Sequence, residues 1–284
     1  MIREIEPAGI DDVRAYGIRR FPDTFSRSLY ADGFDTMQCR AWIVRDEGTP
    51  IGIALARDLE MERFVADLYV EPSFRGDGIG GRLLAAAIAD ADDRALVATC
   101  DPNDLAAVAL FAERGLTIRG TVLRATGEIP KDDDLLGLAA GDYRFGTERL
   151  DPETHAFALA QLDRETRGTA RESEHRYLST VATGMVFSIE GEAVGYAYLW
   201  PSGQIGPVAV ASGAYLAQIF AYAMAALRRE HGATWCTAAI PATNLRALRT
   251  ALRAGLRIES DLVVLGDGPV GEPARYVGLG RLLF

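Results

Sequence analysis

Residues 70–84 read VEPSFRGDGIGGRLL. Gly76, Gly78, Gly80 and Gly81 crowd in behind Arg75, and a leucine-containing run follows at once. Glycine is costly to order, so this much of it directly before a helix asks for a reason. The first N–H groups of a helix have no internal acceptor, and the positive end of the helix dipole lies with them. A phosphate group satisfies several such donors together, and glycines let the main chain approach it closely. Arg75 can add a charge-assisted contact. The chemistry of the stretch is that of a diphosphate cradle. Its plain alternative is a glycine turn that punctuates a strand and a helix. Two nucleotide-binding patterns do not fit. The spacing is G-x-G-x-G-G rather than G-x-G-x-x-G, and no acidic residue ends the next strand at the usual place. The Gly-Lys-Ser/Thr of the triphosphate loop is missing.

The elements that must position this turn follow from periodicity. ADLYVEP, from Ala66, sets Asp67 and Tyr69 on one face and Leu68 and Val70 on the other, which predicts a strand stopped by Pro72. After the turn, Leu83, Leu84, Ala87, Ile88 and Ala91 share one face of a helix. Asp67 is an acidic strand-end group that could hold a cation; the alternative is a solvated carboxylate. Glu60 and Glu62, just upstream, read as a solvated loop or as a widening of that acidic entrance.

The chain repeats its plan. WIVRDEGTPIGIALAR, from Trp42, parallels MVFSIEGEAVGYAYLW, from Met185, with Gly48 and Gly52 matched by Gly191 and Gly195. Upstream, REIEPAGIDDVRAY parallels ERLDPETHAFALAQL; downstream, LAAVALFAERGLTIRG parallels LRALRTALRAGLRIES. Each downstream segment is a helix of period near 3.6 closed by a left-handed glycine, Gly115 or Gly255. Three pairs in one order predict an α/β (α+β) fold built twice, each half a mixed sheet flanked by helices. The stretch 129–142 carries charge and glycine without a clear period, which puts the halves at 1–140 and 141–284.

The second copy departs at the turn. Aligning IGPVAVASGAYLAQIF, from Ile205, sets Val210 opposite Val70, and of the glycine loop only Gly213 remains. The densely charged run DRETRGTARESEHRYL, from Asp163, reads as a solvated helical face or as a substrate-recognition segment. Tyr196, Tyr198 and Trp200 alternate as a sheet-core stripe.

Composition bounds the rest. Of 284 residues, 49% are hydrophobic and 25% charged, with a formal net charge of −10 and no basic stripe, which disfavours nucleic acid as a partner. The three cysteines are dispersed and the three histidines lack metal-ligand spacing, so no disulfide framework or metal is expected. No run approaches the ~20 apolar residues of a membrane span, and the first residues lack a signal-peptide pattern, so a cytoplasmic location is expected.

V-x-P-x-x-R-G-x-G-I-G-x-x-L-L resembles the coenzyme A motif of the GNAT superfamily of N-acyltransferases, and DLAAVALFAERGL, from Asp104, resembles that family's second-helix motif. The resemblance spans most of both halves and implies a tandem GNAT fold with a degenerate C-terminal copy. It implies that the backbones of Arg75, Gly76, Asp77, Gly78, Ile79, Gly80 and Gly81 hold the pyrophosphate of acetyl-CoA. Leu68, Tyr69 and Val70 would supply main-chain partners to the pantetheine arm, and the Val70 N–H would polarise the thioester carbonyl. Asp67 would take the amine proton. Asn103 and Phe111 are the implied coenzyme contacts of the second helix, although Phe111 stands where many members carry a Tyr that protonates the thiolate. Tyr69 is another hydroxyl for that task. The implied reaction is acetyl transfer to a small-molecule primary amine by a monomer or homodimer. A protein amine, or a non-catalytic acyl-CoA sensor, remains the alternative.

Overall fold

The computed structural model describes residues 4–21, 27, 30, 32–139 and 141–280. The chain divides into two compact units, Met1–Ile118 with Leu265–Pro269, and Arg119–Val264 with Val270–Phe284.

In the first unit the order is β1 (Ile5–Pro7), α1 (Ile10–Arg20), α2 (Gly33–Thr36), β2 (Arg40–Asp46), β3 (Thr49–Asp58), β4 (Glu62–Val70), α3 (Ile79–Ile88), β5 (Ala95–Cys100) and α4 (Leu105–Ala112). Strands β1 to β4 form an antiparallel meander, and β5 joins β4 in parallel, as a helical crossover requires. Ile79, Leu83 and Ala87 of α3 pack on Val44, Ile51, Ala54 and Val70 of the sheet. This is the apolar face that the periodicity of both elements predicts.

The second unit follows with β6 (Thr117–Glu128), α5 (Asp132–Leu138), β7 (Gly146–Arg149), α6 (Ala156–Arg167), α7 (Glu172–Val181), β8 (Thr183–Ile189), β9 (Glu192–Leu199), β10 (Ile205–Val210), α8 (Leu216–His231), β11 (Trp235–Pro241), α9 (Leu245–Arg253), β12 (Arg257–Gly266) and β13 (Tyr276–Val277). Its core gathers the apolar face of α8, from Leu216 to Leu227, against β8 to β11.

The compact units do not divide at the expected 140/141 boundary. β6 pairs with β11 from Trp235↔Glu128 to Pro241↔Val122, so the strand that closes the first copy belongs with the second unit. In return, Leu265–Pro269 belongs with the first, where the Asp267 N–H donates to Leu96 O at 3.2 Å and Asp267 Oδ1 accepts from Leu96 N–H at 2.8 Å. A sequence repeat marks copies of a plan; hydrogen bonds mark bodies, and here the strand that closes the first copy groups with the second unit while the short stretch Leu265–Pro269 groups with the first.

Candidate coenzyme and acceptor site

The parallel pairing of β4 and β5 runs only from Glu62↔Ala95 to Val65↔Ala98. Ala66 then bulges out of the β3–β4 ladder, between Leu55↔Asp67 and Ala56↔Val65. Bulges re-aim a strand. Beyond it, among the described residues, no strand pairs with the β5-side edge of β4. The Glu71 N–H donates to Ile51 O at 2.8 Å. Main-chain groups alternate along a strand, so those of Val70 and Leu68 face the open edge, while those of Tyr69 face β3. Of the three residues expected to offer main-chain partners, the register therefore turns two toward the gap. Part of that edge is used: Arg75 Nε donates to Val70 O at 2.9 Å. Arg75 thus braces the end of β4 with one nitrogen.

Of the amides expected at the turn below β4, that of Arg75 is already spent, donating to Pro72 O at 3.3 Å. Gly78 is the N-cap of α3, with φ +73° and no side-chain cap, and Gly76 has φ +94°. Only glycine enters that region without strain. An added Cβ at either position meets no atom within 4 Å, so the room before the helix end is open. Among the described residues, the N–H groups of Gly76, Gly78, Ile79, Gly80 and Gly81 have no acceptor. At Gly80 and Gly81 a Cβ would lie 3.4 and 3.6 Å from Leu110, so these two also bring α4 against α3. The residues present fit a diphosphate.

The second-helix residues are placed less simply. Asp104 caps α4, its Oδ1 accepting from the Ala107 N–H at 3.0 Å. Asn103 is exposed and turned back, donating to Asp101 Oδ1 from its main-chain N–H at 2.8 Å and from Nδ2 at 3.1 Å. Phe111 is buried in the core.

On the opposite face of β4, Asp67 is buried at 3% exposure rather than solvated. Its Oδ2 accepts from Arg20 Nη1 and from the Tyr30 hydroxyl; its Oδ1 is buried with no partner. The Arg20 guanidinium lies 4.1 Å from the centre of the Tyr69 ring, and that of Arg75 5.5 Å from it. Tyr16 meets the same ring edge-on, with its hydroxyl buried and unpartnered. Burial pushes that hydroxyl well above the ordinary tyrosine range. The pairing of Arg20, Tyr16 and Tyr30 with β4 was not legible, because nothing in the spacing of α1 or of the residues after it says which strand they cover. The acidic entrance is not there: Glu62 is buried at the far end of β4 from Val70, and only Glu60 is exposed.

The equivalent gap in the second unit is filled by the chain itself. β10 and β11 meet only at their starts, through Gln204↔Thr237, and then part. β13 enters between them, pairing Val208↔Val277 and Ala209↔Tyr276 on one side and Ala239↔Gly278 on the other. Asn244, which caps α9 through the Ala247 N–H at 3.1 Å, donates from Nδ2 to Tyr276 O at 2.8 Å. In place of a glycine loop, Ser212 opens a short 3-10 turn, its Oγ accepting from the Ala214 N–H at 3.3 Å. Asn244→Ala is expected to destabilise the chain by ~2–4 kcal/mol, about 1 for the cap and the rest for the lost buried donor. Urea unfolding of the variant checks this, and a change under 1 kcal/mol would show that β13 holds its place without the side chain.

The charged run from Asp163 is not a solvated face. Asp163, Arg167, Arg171, Glu174 and His175 are all buried. Asp163 Oδ1 accepts from Arg171 Nη2 at 2.9 Å and from the Tyr196 hydroxyl at 2.5 Å. His175 Nε2 donates to Asp163 Oδ2 at 2.9 Å, and its Nδ1 pairs with the Tyr198 hydroxyl at 2.9 Å. Arg171 Nη1 also reaches the Tyr276 hydroxyl at 2.7 Å. Burial pushes the Asp163 carboxyl up, but Arg171 and His175 together outweigh it and hold the group well below the usual carboxylate range. The tyrosine stripe is sheet core, as its alternation predicts, and its hydroxyls are what make these charges tolerable there.

Among the described residues no helix is long and apolar enough to cross a membrane. Residues 10–116 match the model of the acetyltransferase (GNAT) family. No curated protein sequence matches the chain. Solved structures resemble it at low identity. A Pyrococcus horikoshii protein assigned as an acetyltransferase is 15% identical with a TM-score of 0.73, covering 96% of this chain and 92% of its own. A tandem GNAT protein from the clavulanic acid biosynthesis pathway is 18% identical with a TM-score of 0.64, covering 94% and 99%. A GCN5-related N-acetyltransferase from Sphaerobacter thermophilus is 16% identical with a TM-score of 0.62, covering 95% and 97%. At these identities the likeness is one of fold, and it extends over both units. The chain thus has a GNAT-type fold over both units, and within it residues 10–116 match the acetyltransferase family model.

Proposed function

We propose that the first unit binds acetyl-CoA and that the chain transfers its acetyl group to the primary amine of a small molecule. The observation that carries this reading is the open β4 edge running into uncapped amides from Gly76 to Gly81. When bound, acetyl-CoA supplies an activated acetyl thioester. Gly76, Gly78, Ile79, Gly80 and Gly81 donate main-chain N–H groups to its phosphates, and Leu68 and Val70 offer theirs along the gap. A fixed N–H such as that of Val70, aimed where negative charge develops on a carbonyl oxygen, contributes ~3 kcal/mol to a rate. Asp67 takes the amine proton on Oδ1, since Oδ2 is committed to Arg20 and Tyr30. The second unit is a degenerate copy without coenzyme, consistent with β13 lying in its gap.

The test follows free thiol while a panel of amines is added with acetyl-CoA. Turnover is expected on at least one amine, and Asp67→Asn should lower kcat by ~10²-fold or more with coenzyme affinity unchanged. Phe111, in place of a hydroxyl, favours a second reading as an acyl-CoA sensor. Tight coenzyme binding with no turnover on any amine would select it.

A further inference from the structure

Building on the acetyl-transfer reading, we propose that the acceptor amine carries its own carboxylate. Asp67 Oδ1 and the Tyr16 hydroxyl receive the nitrogen, and the free edge of Arg20 receives the acid. Two buried polar atoms stand without partners beside β4, Tyr16 Oη and Asp67 Oδ1. A buried polar group left unpaired costs ~1–3 kcal/mol, so two together mark a place where a ligand completes the hydrogen bonding. Both accept hydrogen bonds, and a primary amine or ammonium is the donor that serves both.

Arg20 supplies the other half. One nitrogen, Nη1, is committed to Asp67 Oδ2, and the guanidinium carbon lies 4.1 Å from the centre of the Tyr69 ring and 5.0 Å from that of Phe21. Its Nε and Nη2 have no partner among the described residues. That edge is the one that grips a carboxylate with two parallel bonds. With the side chain only 12% exposed, the pairing would be made largely out of water, where it is strongest.

The charge balance points the same way. Arg19, Arg20 and Arg75 surround Tyr69 and its strand end, against Asp67 and Glu71. Arg19 is spent on Glu71 at 3.0 Å, and Asp67 is spent on Arg20. Among the described residues around Tyr69, both carboxylates are thus paired with arginines, which gives a polycation little to bind, and Glu62 is buried far down β4. A neutral zwitterion fits better. Because Arg20 and Asp67 are themselves in contact, the two groups of the acceptor must be close together, as in an α- or β-amino acid.

The experiment uses the full chain saturated with coenzyme A. Free amino acids, their amides, their decarboxylated amines and spermidine are each titrated in by calorimetry, and the same panel is run with acetyl-CoA. At least one amino acid is expected to bind ~10-fold or more tightly than its amide and its decarboxylated amine. Arg20→Lys should reduce that ratio several-fold, with retained coenzyme affinity as the check on folding. Equal binding of acids and amides, preference for spermidine, or no amino-acid binding to the coenzyme-loaded chain would each overturn the inference while leaving acetyl transfer standing. Failure of coenzyme A itself to bind would remove the transfer reading, and this inference with it.

Discussion

Gly78→Glu is expected to weaken coenzyme A binding by at least ~100-fold, or ~2.7 kcal/mol, while the chain stays folded. Two effects add. Gly78 holds φ +73°, where a side chain costs ~1–2 kcal/mol of local strain. The new carboxylate then stands in the open space before α3, where it competes with phosphate for the same amides and repels it. Because no atom lies within 4 Å of that position, the substitution displaces nothing and the core under α3 is untouched. Gly213→Glu, at the matching turn of the second unit, is the control and should leave affinity unchanged. Calorimetric titration measures both. If the two variants bind coenzyme as tightly as each other, the first-unit turn is not the cradle.

The second large effect concerns stability. Arg171→Met is expected to cost ~3–5 kcal/mol, because it leaves the Asp163 charge buried and short of its main partner. The pH dependence should also change sign. In the native chain the Asp163 carboxyl lies below its ordinary range, so its contribution is complete above the unfolded pKa and is lost only as pH falls through the depressed folded value. Remove Arg171, and burial, the largest influence on the group, pushes it up instead. A folded carboxyl raised above its unfolded value loses stability as pH rises through that value. Urea midpoints should therefore be nearly level from pH 8 to pH 5 in the native chain and should rise toward pH 5 in the variant. A variant whose midpoint stays as level as the native chain's from pH 8 to pH 5 would mean that Asp163 is not the group the arginine sustains.

The sequence made some of this visible and hid the rest for definite reasons. The glycine turn was legible because its signal is local: glycines with left-handed φ, an α3 of the right period and a strand stopped by Pro72 all sit within one short stretch. The division into compact units was not, because β6 pairs with β11, and strand partners lie far apart in sequence. Nor was β13. Two residues long, it has no period, and its meaning comes from the gap it enters. Asp67 stood out by its position on β4, but its pairing with Arg20 and Tyr30 needed the fold. The run from Asp163 misled because charged residues at helical spacing usually face water. Here they face three tyrosine hydroxyls, Tyr196, Tyr198 and Tyr276, which compensate them.

Glycine-labelled chain, followed by ¹⁵N chemical shifts as coenzyme A is added, addresses the cradle atom by atom. The amides of Gly76, Gly78, Gly80 and Gly81 should move together and saturate at one coenzyme per chain, with Gly213 still. Stationary signals from those four at saturation, or movement centred on Gly213, would contradict the account.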